Sequence, residues 1–130
     1  MKLRIENSSI RLRLTQTDVS RFAEFGSISA VTPFGGGGTL TYSLQSSDTA
    51  GAVTASFEDA RIAVIVPDAM AHHWASTGDV SIQAEQETGG DVLQILIEKD
   101  FQCLHGENAR RNADAYPHPL EENVPEPARF

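Results

Sequence analysis

Alternating apolar and polar residues mark the beginning of the chain. The segment LRIENSSIRLRL, residues 3–14, has an apolar residue at every second position on both sides of Asn7-Ser8. A period of two gives a strand one buried face and one solvent-facing face. The pattern predicts an antiparallel hairpin that turns at Asn7-Ser8.

A helix and a second hairpin follow. Thr15 and Asp18 have the spacing of a capping box at a helix start. Gly26 can end that helix in the left-handed conformation, which costs glycine little. Two apolar-rich segments, Ser27 to Phe34 and Thr39 to Gln45, flank a glycine-rich turn and predict two further strands.

The same order of elements recurs 52 positions later, and the offset needs no gap between residues 2 and 97. Phe22 falls on Trp74, Gly26 on Gly78 and Leu44 on Leu96 under this offset. Turn glycines therefore meet turn glycines, and apolar positions meet apolar positions. We interpret the chain as a tandem repeat with units at 2–45 and 54–97.

The second unit has its own signals. Its first hairpin is predicted to turn at Glu58-Asp59, and Pro67 suits the first turn of a helix. Met70 and Trp74 are predicted to form the apolar stripe of that helix, and Gly78 to end it. The last hairpin is predicted from Asp79 to Glu98 with its turn at Gly89-Gly90.

A unit of about 45 residues is too small to bury a stable core alone. Two units side by side can close one barrel and remove exposed sheet edges. We therefore predict a mainly β fold with two short helices, a pseudo-two-fold β-barrel built from a tandem ββαββ repeat. The predicted domain spans 1–105.

Charge separates the two units. The chain has 130 residues and a net charge of −8. Residues 2–45 carry five basic and three acidic side chains, whereas residues 54–97 carry one basic and seven acidic side chains. The acidic balance disfavours general nucleic-acid binding, which depends on Lys and Arg neutralising phosphates.

The first residues lack an apolar leader segment and no apolar run could span a membrane, so we expect a cytoplasmic protein.

The second unit carries motifs of a known family. They are Ala60-Arg61-Ile62, Val66-Pro67, Gly78-Asp79-Val80 and Gly89-Gly90. In this order they resemble the half-barrel of AbrB-like transition-state regulators and antitoxins, which are swapped-hairpin barrels of the cradle-loop type. Unit one departs from the pattern, with Thr15 in place of the Pro and Ser27 in place of the Asp. The whole chain also resembles a group of uncharacterised small bacterial proteins.

The resemblance implies a fused pseudo-dimer and, as one alternative, DNA binding. Unit one offers four arginines for phosphate contacts. Unit two lacks matching arginines, so a symmetric duplex contact would meet repulsion on one half. The competing interpretation pairs Arg11 and Arg13 with nearby acids on the wet face of a strand. The DNA-binding candidates are Arg4, Arg11, Arg13 and Arg21.

Metal binding and catalysis have weaker signals. Cys103 and His105 stand two apart and His118 follows, but a structural zinc site needs four ligands. His72 and His73 are adjacent on a helix and diverge by about 100°. Nothing places the one cysteine beside a fixed cation or at a helix start, so we expect no enzyme and no cofactor.

Residues 106–130 form an acidic tail that contains four of the six prolines. Such a segment cannot bury enough surface to fold alone, so it is either loose or packed along the barrel. The predicted function is non-catalytic binding to a protein partner or to a second copy of the chain. If the tail packs, its anchors are Tyr116, Leu120, Val124 and Phe130.

Overall fold

A computed structural model describes residues 1–101 together with Asp114 and Tyr116. The described part is mainly β with two helices, as predicted. The elements are β1 (Lys2–Glu6), β2 (Ser9–Leu14), α1 (Gln16–Phe25), β3 (Ser27–Pro33), β4 (Thr39–Ser47), β5 (Thr54–Glu58), β6 (Arg61–Pro67), α2 (Asp68–Ser76), β7 (Ser81–Glu87) and β8 (Val92–Lys99). A 3-10 turn at Gly35–Gly37 joins β3 to β4.

The strands form two four-stranded mixed sheets. Sheet A has the order β1-β2-β8-β7, and sheet B has the order β3-β4-β6-β5. The central pairs, β2 with β8 and β4 with β6, are parallel, and the flanking pairs are antiparallel hairpins. Each ββαββ unit therefore contributes its first hairpin to one sheet and its second hairpin to the other.

The predicted closed barrel is wrong, because no ladder joins the two sheets in the described part of the chain. The seam between β5 and β7 is bridged by the side-chain amide of Gln86, which bonds the main chain of Ala55. On the other side, the hydroxyl of Tyr42, on β4, donates to the carbonyl of Met1, just before β1, at 3.0 Å. Side chains thus link the two sheets where a barrel would have main-chain ladders.

The two first hairpins turn at equivalent places. Asn7-Ser8 connects β1 to β2, as predicted, and Asn7 has a positive φ of 51°. The predicted turn at Glu58-Asp59 is wrong by one residue, since Glu58 pairs with Arg61 across the loop Asp59-Ala60. Ala60 sits there at φ 59°, a left-handed conformation that strains any side chain with a Cβ.

Helix α1 has the predicted ends. The Thr15 hydroxyl accepts from the Asp18 N–H at 3.3 Å, and the Asp18 carboxylate accepts from the Thr15 N–H at 3.0 Å. Gly26 adopts φ 80°, and its N–H donates to the Phe22 carbonyl at 2.8 Å. The capping box and the glycine therefore satisfy main-chain groups that helix ends leave unpaired.

Helix α2 differs from its prediction. Pro67 is the N-cap residue rather than part of the first turn, and Thr77, not Gly78, is the C-cap. Trp74 is buried as expected, but Met70 is 43% exposed and Ala71 is buried in its place. The apolar stripe is therefore Ala71 and Trp74, three residues apart, on the face towards the sheets.

The two units have the same order of elements in the structure, but their alignment is not free of gaps. Strand pairing sets Leu12 beside Ile97 and Val64 beside Leu44, so Ile97 is the counterpart of Leu44 at an offset of 53. The prediction that Leu96 matches Leu44 is wrong by one residue. Ile28 pairs with Leu44 and Ile82 with Ile97, which makes Ile28 and Ile82 counterparts at an offset of 54. Unit two has a longer connection after its helix and a shorter last turn.

One core lies between the sheets and under both helices. Its fully buried members come from both units, and Phe22 meets Trp74 edge to face with ring centroids 6.4 Å apart. Ala63 and Ile65 are half-buried, so the other face of β6 is partly covered. The largest fully buried side chains are Trp74, Leu12, Leu14, Leu44, Ile97, Val64 and Val66.

The predicted limits of the domain at 105 and of the tail at 106–130 lie beyond residue 101, where only Asp114 and Tyr116 are described. They stay predictions, as do the anchors Leu120, Val124 and Phe130. Tyr116 is half-buried beside Phe101, with ring centroids 5.7 Å apart. Neither helix of the described region has the length or apolar character needed to cross a membrane.

Candidate binding surfaces

Three of the four candidate arginines share the outer face of sheet A. The strand register sets Arg4 opposite Arg11 and Lys2 opposite Arg13. Arg21 is placed elsewhere, on α1, where it lines a cleft with Asp18 and Ser27. The structure thus brings together a basic strip from β1 and β2, and it leaves one candidate outside it.

Carboxylates already meet this basic strip. Glu98 of β8 lies 2.7 Å from Arg13 Nε and 3.5 Å from Arg11 Nε. Arg4 pairs with Glu6 at 3.1 Å. These contacts are those of the competing interpretation, in which the arginines line a wet strand face and pair with acids.

The metal candidates Cys103, His105 and His118 lie outside the described residues. Among the residues that are described, no group of three or more His, Cys, Asp or Glu side chains is arranged to hold an ion. His73 Nε2 lies 3.1 Å from the Asp79 carboxylate, and His72 lines a cleft between the helices.

An apolar groove opens between the sheets at the end where the first hairpins turn. Its volume is about 460 Å³. Phe57 is 68% exposed and Ile5 is 60% exposed, although both lie on the strand faces that point inward. The remaining lining includes Ile10, Leu40, Ala55, Ile62 and Leu93.

The groove lies on the pseudo-two-fold axis. Ile5 corresponds to Phe57 and Ile10 to Ile62, while Leu40 corresponds to Leu93 at the offset found for β4 and β8. Each unit therefore supplies a strand-end residue, a strand-core residue and a leucine from its second hairpin. The sequence signal for this groove is that Ile5 and Phe57 end their strands beside a turn.

Acidic side chains surround the groove. Glu58 and Asp59 stand at the tip of the β5-β6 hairpin and Glu87 at the end of β7, and all three are exposed. None of the three forms an ion pair with another described residue. Asp91 occupies the neighbouring β7-β8 turn and accepts from the Ser8 hydroxyl at 3.3 Å. The mouth of the groove is therefore apolar inside and negative outside.

A buried lysine occupies the opposite end of the fold. Lys99 is 5% exposed, and its Nζ donates to the Thr77 carbonyl at 2.8 Å. The ammonium lies 5.5 Å from the ring centroid of Trp74 and 5.6 Å from that of Tyr116. Burial lowers the pKa of Lys99, while Asp79 acts in the opposite direction. Burial raises the pKa of Tyr116, because it disfavours the charged form of the side chain.

Asp114 forms hydrogen bonds with the start of α1. Its Oδ1 accepts from the Thr17 hydroxyl at 3.0 Å and from the Thr17 N–H at 3.3 Å. Hydrogen bonds from the Thr15 and Thr17 side chains lower the pKa of Asp114. Neither Lys99 nor Asp114 lies in a sequence pattern that distinguishes it from an ordinary surface charge.

Comparison with known proteins identifies a family for this chain. A family model described as a family of unknown function, DUF7009, matches residues 1–120. Searches of curated proteins and of solved structures returned no match. The resemblance to AbrB-like proteins stays a prediction, and the chain belongs to the DUF7009 family.

Proposed function

We propose that the chain is a non-catalytic, cytoplasmic binding module that holds a protein partner in the apolar groove. The bound segment carries apolar side chains flanked by Lys or Arg. The observation that carries the proposal is the exposure of Phe57 and Ile5 in a groove to which both units contribute matching residues.

Exposed apolar area in a concave site supports binding. Full burial of a large apolar side chain stabilises a complex by about 1.5–3 kcal/mol. Contiguous exposed apolar surface rimmed by polar residues is typical of interaction sites. A partner that covers Phe57 and Ile5 together therefore gains an anchor at the centre of the contact, where binding energy concentrates.

The charges around the groove favour a basic partner over a second copy of the chain. Two copies joined through this end would bring Glu58, Asp59 and Glu87 close to the same acids of the other copy. Like charges across an interface oppose association. A basic segment instead meets three carboxylates that form no ion pair with another described residue.

A synthetic peptide tests the groove. We would titrate a fluorescein-labelled 14-residue peptide, with leucine and phenylalanine anchors and lysine flanks, and follow its fluorescence anisotropy. Phe57→Ser should weaken binding about tenfold or more, as expected when a buried aromatic anchor is lost. Phe25→Ser is the matched control, because Phe25 is 70% exposed on α1 and does not line the groove.

Three results would contradict the proposal: no binding of the lysine-flanked peptide, equal losses in the two variants, or tighter binding of a glutamate-flanked peptide. Light scattering of the unliganded protein gives the oligomeric state. A dimer that Phe57→Ser dissociates would assign the groove to a second copy.

DNA binding is the second candidate, and the observation in its favour is the shared face of Arg4, Arg11 and Arg13. The exchange of hairpins between the sheets also supports a relationship to the swapped-hairpin regulators. Glu98 opposes this role, because it lies against two of the arginines. A gel shift with random duplex DNA at low and moderate salt, with Arg11→Ala/Arg13→Ala beside the wild type, separates the two roles. Salt-sensitive binding lost in the double variant would favour DNA.

A further inference from the structure

The two seams between the sheets are not equivalent. At the edge of β5, the Ala55 N–H donates to Gln86 Oε1 at 2.7 Å, and Gln86 Nε2 donates to the Ala55 carbonyl at 3.0 Å. A side-chain amide has the same donor and acceptor groups as a peptide unit. Gln86 therefore makes, at one residue, both hydrogen bonds that a neighbouring strand would make.

Leu3 is the counterpart of Ala55 in unit one. Ala55 lies opposite Val64, and Leu3 lies opposite Leu12, in hairpins with the same two-residue connection. Residue pairs in an antiparallel hairpin alternate between hydrogen-bonded and non-bonded pairs, starting with a bonded pair beside the turn. Leu3 thus shares the orientation of Ala55, with its N–H and carbonyl facing away from the partner strand.

Among the described residues, no side-chain amide equivalent to that of Gln86 bonds the main chain of Leu3. Gln86 pairs with Leu93 and Thr32 pairs with Leu40, so Thr32 occupies the corresponding place. Thr32 is exposed, and its short side chain has no amide to offer a main-chain pair. In the described part of the chain, β2 is the one strand paired with β1.

We propose that the outer edge of β1, at Leu3 and Ile5, receives an extended segment of a partner protein as an added β-strand. Addition of a strand to an exposed sheet edge uses main-chain hydrogen bonds for affinity and alternate side chains for selectivity. This site differs from the groove in its ligand, since the groove calls for a basic segment.

The flanking residues define the chemistry of the added strand. Residues on its inner face lie beside Leu3 and Ile5 and are apolar. Residues on its outer face lie beside Lys2 and Arg4 and are acidic. On β1 and β2 this face carries four cations, which contact carboxylates in the pairs Lys2–Asp100, Arg4–Glu6, Arg11–Glu98 and Arg13–Glu98.

A second copy in the register that sets Leu3 opposite Leu3 fits this edge poorly. In that isologous pairing, each Lys2 faces an Arg4 of the other copy. Like charges directly opposite are destabilising. The acidic side chains of an acidic and apolar strand from another protein would instead lie beside Lys2 and Arg4, where opposite charges attract.

Two eight-residue peptides with capped ends test the site, one alternating valine with glutamate and one alternating valine with lysine. Binding is followed by the amide signals of the ¹⁵N-labelled full chain. We expect the glutamate peptide to shift the Leu3 and Ile5 amides and to bind a few times more tightly than the lysine peptide, because opposite charges pair across strands. N-methylation of every second peptide residue should abolish binding, since it removes main-chain donors.

Thr32→Gln is the decisive variant, because it installs the unit-two amide at the unit-one seam. It should weaken glutamate-peptide binding about tenfold, the loss expected for competition with two main-chain hydrogen bonds. Ser29→Gln is the control, as it puts the same side chain on the outer face of the same strand. Gln86→Ala should create a second site, seen as peptide-induced shifts at Ala55.

The proposal is overturned if neither peptide binds at about 1 mM, the weak end of specific recognition. It is also overturned if Thr32→Gln binds like the wild type, or if N-methylation has no effect. Peptide-induced shifts confined to Phe57 and Leu93 would assign the ligand to the groove and reject the β1 edge. A failure at β1 does not affect the lysine-flanked peptide experiment, so the two proposals fail separately.

Discussion

The two units reach the same main-chain arrangement at the ends of their helices with different side chains. In unit one, the Ser46 N–H and hydroxyl both donate to the Gly26 carbonyl, at 2.8 and 3.2 Å. In unit two, the Lys99 N–H donates to the Val80 carbonyl at 3.0 Å and Lys99 Nζ to the Thr77 carbonyl. A small hydroxyl in one unit thus corresponds to a buried ammonium in the other.

The difference follows from the length of the connection after each helix. A glycine in the left-handed conformation ends α1 and leads directly into β3. Four residues, 77–80, separate α2 from β7, and Trp74 Nε1 donates to the Val80 carbonyl at 3.1 Å. The longer connection has main-chain groups that need partners, and Trp74 and Lys99 supply them. Duplicated folds can therefore keep their strand pairing while the chemistry at each connection changes.

Replacement of Trp74 should have the largest effect on this comparison. Trp74→Ala is expected to lower the free energy of unfolding by about 3–5 kcal/mol, because it removes a buried aromatic side chain. Urea denaturation measures the change. Met70→Ala, the other residue predicted for the stripe, is half-exposed and should change stability by less than about 0.5 kcal/mol. Equal effects would mean that α2 faces the core with a different side.

Lys99→Met tests the unit-two connection directly, since it keeps the apolar stem and removes the ammonium. Loss of a hydrogen bond to a charged group should lower the free energy of unfolding by about 1.5–3 kcal/mol. Ser46→Ala removes the smaller unit-one contact and should cost about 0.5–1.5 kcal/mol, as typical for a neutral hydrogen bond. If urea denaturation gives Lys99→Met the smaller loss, the ammonium does not stabilise the connection.

The first hairpins offer a smaller test. Ala60→Gly should raise the free energy of unfolding by about 1 kcal/mol, because glycine adopts the left-handed conformation without strain. Ala63→Gly, in the middle of β6, should lower it by a similar amount. Thermal denaturation of both variants measures the difference. No gain from Ala60→Gly would show that the positive φ at this position carries no strain.

Acid should release the contact of Asp114 with α1. Because the folded pKa of Asp114 is lowered from 3.8, its stabilising contribution is present above that value and is lost as the pH falls through the folded pKa. The Thr17 amide signal should therefore titrate below pH 3.8, and Asp114→Asn should remove that titration. A Thr17 signal that titrates equally in the variant would contradict the assignment.

Local patterns in the sequence predict most of the elements. Alternation located β1 and β2, and the capping box with Gly26 located both ends of α1, because these signals act within a few residues. The helix pattern failed at Met70, since a short helix gives few positions to define its buried face. The gap-free offset failed because turn lengths change without disturbing the apolar periodicity of the strands.

Long-range features lay beyond these patterns. The way the two sheets are joined depends on whether a single side chain, such as Gln86, reaches a strand of the other sheet. The apolar periodicity of a strand does not predict such a contact. The groove forms where the ends of two hairpins lie together, and the sequence does not indicate which ends meet. In the sequence, Ile5 and Phe57 therefore resemble other strand residues. Alternation indicated one strand face for Arg11 and Arg13, but Glu98, the carboxylate that contacts both, comes from β8.

The exchange of hairpins between the sheets constrains how the chain acquires its fold. Ser9 pairs with Gln94, so β1 and β2 find their central partner only when β8 has been made. Pairings between residues so distant in sequence carry a large loop-closure entropy and slow the folding of β proteins. Until then, the inward faces of β1 and β2 remain uncovered and open to wrong pairings. Sheet A can therefore form only after β8 has been made, whereas sheet B can assemble earlier from residues 27–67.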